Sequence, residues 1–128
     1  INSDGEMAEG SNWEAILFAS HHKLDNLVLI IDYNKLQSFD SIEATLKLEP
    51  LRDKFMSFGW NIFEVDGHNY QQIENALLKA KSISGKPICI IANTIKGKGI
   101  SFMENKVEWH YKAPSNKEYN IAIRELSP

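Results

Sequence analysis

Asp4 and Asn34, a carboxylate and a carboxamide, stand thirty positions apart, and each follows a stretch that reads as a β-strand. One carboxylate and one amide oxygen suit a hard divalent cation, which takes few protein ligands and fills its shell with phosphate oxygens and water. Gly5 follows Asp4 and lets backbone N–H groups approach a phosphate closely. A helix beginning near Gly10-Ser11 would turn its positive end toward the same place. The spacing alone has a plainer account as well. Asp-Gly is a common turn, and Asp32-Tyr33-Asn34-Lys35 reads equally as a strand running into a loop.

For the two side chains to meet, their strands must be neighbours, because ligands of open α/β sheets bind beyond the carboxyl ends of the strands. Leu27-Val28-Leu29-Ile30-Ile31 is a continuous apolar run of the kind expected for a strand buried on both faces of a parallel sheet. Trp60 to Val65 and Pro87 to Asn93 are further strand candidates, and Ile1-Asn2 reads as the stub of another. Helical patterns alternate with them. Ser11 to Lys23 is apolar around most of its circumference and is expected to be buried rather than surface-lying. Leu51 to Phe58 has Pro50 at its entry and Gly59 as its stop. Asn69 to Ile83 has an N-cap in Asn69 with Gln72 three residues on, and Ser115 with Glu118 forms a capping box that opens a last helix to about Leu126. This alternation argues for an α/β fold, a parallel sheet with helices on both faces and right-handed crossovers. The long mixed stretch from Asn34 to Glu49 is expected to be functional or mobile.

Composition sets the outer bounds. The 128 residues are 43% hydrophobic and 24% charged, enough for a single core. A net charge of -3 is too small to predict a nucleic-acid partner or attraction to a membrane surface. No apolar run approaches bilayer-spanning length. The one cysteine, Cys89, lies in an apolar strand candidate and is expected to be a buried, inert thiol, so a cytoplasmic setting is the default. The first residue is Ile1, not Met, which suggests a chain cut from a longer reading frame with half of its site elsewhere.

Longer motifs sharpen these expectations. The string Ser3-Asp4-Gly5-Glu6-Met7-Ala8-Glu9-Gly10-Ser11-Asn12-Trp13-Glu14-Ala15, followed by Asp32-Tyr33-Asn34-Lys35-Leu36-Gln37, resembles the thiamine-diphosphate fingerprint of transketolases. Asp66-Gly67-His68, Thr94-Ile95-Lys96-Gly97-Lys98-Gly99 and Trp109-His110 before Lys112-Ala113-Pro114 continue the resemblance in order across essentially the whole chain. The family's first motif glycine is Ser3 here, still a small residue. The short segment Gly97-Lys98-Gly99-Ile100-Ser101-Phe102-Met103-Glu104-Asn105 resembles split, two-subunit prokaryotic transketolases.

The resemblance implies roles. Asp4, the Asn34 side chain and the Leu36 carbonyl would ligate Mg2+ or Ca2+, with Gly5 and Glu6 beside the diphosphate. Lys96 would line the cofactor site, and His110 would lie by the diphosphate and the incoming substrate. Glu9 and Glu14 match glutamates near the contact between the two cofactor sites of a dimer. Read without the family, Glu9 is an ordinary charge in a first helical turn, Lys96 an exposed lysine and His110 a solvent-facing or core histidine. Glu14 within an apolar helix calls for a partner across an interface, and His68 shapes the turn into the next helix. The chain, residues 1–128, would be the C-terminal part of the diphosphate-binding domain. The pyrimidine-binding domain would come from a partner subunit or a missing C-terminal half. The implied reaction is transfer of a two-carbon ketol unit between sugar phosphates, with the chain inactive alone. The alternatives are another thiamine enzyme, of the deoxyxylulose-phosphate synthase or 2-oxo acid dehydrogenase type, and a non-catalytic α/β module.

Overall fold

A computed structural model describes residues 1–127; Pro128, the last residue of the expected unit, lies outside the described residues. The apolar run forms β2 (Val28–Tyr33), which pairs in parallel with a short β1 (Asn2–Ser3) on one side and with β4 (Ile88–Asn93) on the other. On the far side of β4 lies β3 (Asn61–Asp66), giving a four-stranded parallel sheet in the order β1-β2-β4-β3. Ser3 pairs with Asp32, and Tyr33 and Asp66 both pair with Asn93, so the carboxyl ends of all four strands form one edge.

Period-two alternation along the central strand divides the core in two. Cys89 and Ile91 of β4 join one cluster, while Ile88, Ile90 and Ala92 join the other. The first face is covered by α1 (Gly10–His21) through Ile16 and Ala19, and by α3 (Leu51–Ser57) through Leu51 and Phe55. The second is covered by α4 (Tyr70–Ala80) through Ala76 and Ala80. Cys89 is fully enclosed, and burial pushes its thiol up to about 12, the inert state expected of it. Two indoles tie the first face together. Trp60 Nε1 donates to the Ile16 carbonyl at 2.9 Å, and Trp13 Nε1 donates to the Met7 carbonyl at 2.8 Å. These bonds fix α1 and the 3-10 helix Gly5–Ala8 that precedes it, and so fix the backbone leaving Asp4.

Local signals are realised closely. Asn69 accepts from Gln72 N as the N-cap of α4. Ser115 and Glu118 form the full capping box of α5 (Asn116–Leu126). Gly59 ends α3 at φ +87°, a conformation that favours glycine. The 34–49 stretch carries the short helix α2 (Ile42–Thr45) and is anchored by buried Ile42 and Leu48.

Two expectations need correction. Helix α1 is not buried around its circumference: Leu17 is 55% and Phe18 60% exposed, and only one face meets the sheet. Its apolar outer face finds no cover among the described residues of this chain. Likewise β2 is buried at Ile31 and Tyr33 but only half-buried from Val28 to Ile30; on the side of Val28 and Ile30, α4 lies over β3 and β4 instead. Among the described residues, no helix is long and apolar enough to cross a membrane.

Candidate functional site

At the end of β1 the chain turns into the 3-10 helix, and Asp4 at that turn is 1% exposed. Its N–H donates to the Asp32 carbonyl at 3.1 Å, an inter-strand bond that seats it beside β2. One carboxylate oxygen, Oδ2, accepts the Lys35 N–H at 2.5 Å. Lys35 adopts φ +67°, so the chain after β2 curls around the Asp4 carboxylate. The other oxygen, Oδ1, is buried and has no hydrogen-bond partner. Burial pushes the Asp4 carboxyl above the usual range, and Asp32 adds to that; the Lys35 and Gly5 N–H groups and the Lys96 charge pull the other way. A buried carboxylate oxygen without a partner is costly, and a cation at that oxygen removes the cost.

Asn34 follows β2 on the neighbouring strand end. Its Oδ1 accepts the Leu36 N–H at 3.1 Å, and its Nδ2 donates to Asp32 Oδ1 at 3.4 Å. The same Asp32 oxygen accepts a short hydrogen bond from the Thr94 hydroxyl on the loop after β4. Asp32 thus orients Asn34 and Thr94 through one oxygen and is half-buried at the cavity wall, whereas the unpartnered oxygen of Asp4 is buried.

A cavity of about 400 Å³ opens in front of these residues. Of the expected site residues, Gly5, Glu6, Glu9, Asn34, Leu36, Lys96 and His110 line it, with Asp4 set behind the wall. Gln37, the last residue of the Asp32–Gln37 motif, and Ser38, which no motif marks, also line it, and Gln37 Nε2 is buried without a partner. A separate cleft of about 290 Å³ beside β1 and α1 is mostly apolar and has no titratable side chain in its lining.

The individual placements differ in kind. A Cβ on Gly5 would meet Gln37 Cγ at 3.7 Å and Ser3 Oγ at 3.8 Å, ordinary contacts, so folding does not itself require glycine there. Glu6 Oε2 accepts the Ser3 N–H at 2.6 Å while Ser3 Oγ accepts the Glu6 N–H at 3.2 Å, a reciprocal pair that closes the turn. Glu9 is exposed at the start of α1. Glu14 is exposed and outside the cavity lining, so it bears no burial cost in this chain, contrary to the cost expected for a carboxylate in an apolar helix.

Lys96 and His110 come from two segments pinned to the edge. Gly97, at φ +73°, packs so closely that a Cβ would lie 2.8 Å from the Met103 backbone. The Lys96 carbonyl accepts the Asn105 N–H at 3.0 Å, closing the glycine loop. His110 ends the 3-10 helix Val107–His110 with its ring 4.6 Å from that of Tyr111, whose hydroxyl donates to Ser38 Oγ at 2.7 Å. His68 does more than shape its turn, because its Nε2 accepts the Ile95 N–H at 2.7 Å across 27 positions of sequence.

Among the described residues no three His, Cys, Asp or Glu side chains gather as a self-sufficient metal cage. One free carboxylate oxygen, one amide oxygen and a cavity with a lysine and a histidine fit instead a hard cation bound together with phosphate oxygens.

Known proteins match along the same span. The family described as transketolase, thiamine diphosphate binding domain, matches residues 1–126. The chain is 44% identical over 126 residues to the 6-deoxy-6-sulfo-D-fructose transketolase subunit SqwG of Clostridium sp. (strain MSTE9), covering 98% of this chain and 46% of that protein. It is 44% identical over 126 residues to one subunit of the apulose-4-phosphate transketolase of Actinobacillus succinogenes, covering 98% and 45%. Against human transketolase it is 43% identical over 124 residues, covering 96% and 19%. The crystal structure of Campylobacter jejuni transketolase superposes with a TM-score of 0.87 at 33% identity, over 96% of this chain and 19% of that one. The chain therefore spans less than half the length of these relatives.

Proposed function

Because the chain belongs to the family of transketolase thiamine-diphosphate-binding domains, we propose that it supplies the diphosphate and metal half of a cofactor site in a cytoplasmic enzyme that moves a two-carbon ketol unit between sugar phosphates. The observation that carries this reading is the buried Asp4 carboxylate with one oxygen free, beside Asn34 and behind a cavity lined by Lys96 and His110. In this proposal Asp4, the Asn34 side chain and the Leu36 carbonyl ligate Mg2+ or Ca2+. Gly5 leaves room for the diphosphate, Glu6 borders it, and Lys96 meets it as a point charge. His110, exposed at the rim, donates to phosphate or substrate oxygens. Glu9 and Glu14 face the contact between two half-sites in a dimer; the exposed face of α1 that carries Glu14, Leu17 and Phe18 supports that placement.

Once bound, thiamine diphosphate supplies the electron sink needed to break and form a carbon–carbon bond beside a carbonyl. The chain's own residues neutralise the diphosphate, fix its position and shield the metal from bulk water. The remaining half-site comes from a pyrimidine-binding domain, either on a second polypeptide or on further residues of the same one. Two of the relatives carry the word subunit in their names, which supports the two-chain form. Near-equal identity to human transketolase shows that sequence similarity over this segment does not separate the two forms.

Calorimetry on the complete enzyme, with its pyrimidine-binding domain, tests the assignment. Thiamine diphosphate is expected to bind only with Mg2+ or Ca2+, and Asp4→Ala with Asn34→Ala is expected to weaken binding more than about hundredfold, since a metal link and two hydrogen-bonding groups are lost together. Binding indifferent to both metal and substitutions would overturn it.

A further inference from the structure

The turn after β3 and the loop after β4 are locked together by three contacts. The Gly67 N–H donates to the Asn93 carbonyl at 2.7 Å. Gly67 also lies so close that a Cβ would meet Thr94 Cγ2 at 2.4 Å and the Asn93 oxygen at 3.1 Å. Beyond it the His68 ring accepts the Ile95 N–H at Nε2, 2.7 Å away. That bond sets the ring's tautomer, with the lone pair on Nε2 and the proton on Nδ1. The turn that bears the ring is braced from its own side too, because the His68 backbone N–H donates to Asp66 Oδ1 at 2.9 Å.

Ile95 is flanked by two residues of the candidate site. Before it, the Thr94 hydroxyl donates to Asp32, the carboxylate that also accepts from Asn34 Nδ2. After it, Lys96 lines the cavity and its charge acts on Asp4. An N–H deprived of its acceptor turns toward another partner or toward water, and in a loop it takes the neighbouring peptide units with it.

We propose that His68 is a positioning residue for the cofactor site, holding the Ile95 N–H so that Thr94 meets Asp32 and Lys96 faces the cavity. The inference rests on the cofactor reading above. His68 itself reaches the site only through the glycine loop. Its ring is exposed, so water competes for the Ile95 N–H and the effect is modest.

The test compares His68→Leu, which removes the acceptor, with His68→Gln, whose side-chain oxygen replaces it, in the complete enzyme. Two quantities are read: thiamine diphosphate affinity with Mg2+ by calorimetry, and hydrogen exchange of the segment containing Ile95 in the absence of cofactor. His68→Leu is expected to weaken affinity roughly three- to tenfold and to speed exchange at Ile95, with an unchanged melting temperature. His68→Gln should restore most of both. Unchanged exchange and affinity in His68→Leu would overturn the proposal. So would a loss that His68→Gln fails to rescue, since ring shape rather than an acceptor would then be at work. A wild-type enzyme that binds no thiamine diphosphate overturns the functional reading and the cofactor half of this inference, while Ile95 exchange, read without cofactor, separately decides the loop half.

Discussion

The two corners of the carboxyl edge are built to opposite rules. At the β1–β2 corner Asp4 keeps a buried oxygen unmet, Gln37 a buried nitrogen, and Gly5 has space around it. At the β4–β3 corner Gly67 leaves no space, and Asp66, His68, Asn93 and Thr94 all enter hydrogen bonds that cross between turn and loop or brace them. Groups whose partners are all within the chain hold shape; groups left without one await something from outside it. One sheet edge thus carries a corner with unmet buried polar groups, the candidate binding corner, and a corner whose polar groups are met within the chain.

Alanine at the glycine of each corner should separate the two most widely. Gly67→Ala is expected to destabilise the enzyme by about 1–3 kcal/mol, because the new methyl meets Thr94 well inside contact distance. Gly5→Ala is expected to leave the unfolding midpoint unchanged and to weaken thiamine diphosphate binding about tenfold, as the methyl takes space meant for the ligand. Denaturant unfolding beside calorimetry reads both, and a Gly5→Ala enzyme that is destabilised but binds normally reverses the assignment.

A charge test is subtler. Lys96→Met keeps the length of the side chain and removes its ammonium. Affinity for thiamine diphosphate should fall about three- to tenfold, with the gap to wild type narrowing as salt rises. A gap that salt leaves untouched would point to packing rather than to a point charge.

The smallest effect lies on the far side of the binding corner. Tyr33, 4% exposed, donates its hydroxyl to Glu49 Oε1 at 2.5 Å, and Glu49 Oε2 accepts the Leu51 N–H at 2.8 Å. The Tyr33 bond first, and the Leu51 N–H next, hold the Glu49 carboxyl below the usual range. A lowered folded-state value stabilises the fold above the unfolded carboxyl range and is lost as pH falls through the folded one. Glu49→Gln is therefore expected to cost about 0.5–1 kcal/mol at neutral pH, and the difference should fade below about pH 4. Unfolding curves at about pH 7 and about pH 3.5 check it; a penalty that grows in acid would reverse the sign.

Much of this architecture is readable in the sequence, for local reasons. Asn69 with Gln72, and Ser115 with Glu118, are caps whose partners lie within one helical turn, so residue types alone reveal them. Asp4 and Asn34 are readable because one strand-helix-strand unit brings its strand ends together, and β1 does pair with β2. The outer face of α1 misleads because an apolar circumference states a need for cover without saying which chain provides it. His68 on Ile95 and Thr94 on Asp32 escape notice because their bonds span 27 and 62 positions and depend on β4 lying between β2 and β3. Nothing in the local pattern of either motif states that strand order.

That order also has a consequence for synthesis. The central strand β4 is the last of the four to be made, and the two strands it joins never touch each other directly. Some sixty further residues must emerge after β2 before its β4 partner is complete, roughly three to twelve seconds at ordinary translation rates. During that interval Asp32 has no Thr94 to meet, and Lys96 does not yet exist. The candidate cation corner therefore cannot be complete before β4 and the glycine loop that follows it have been made.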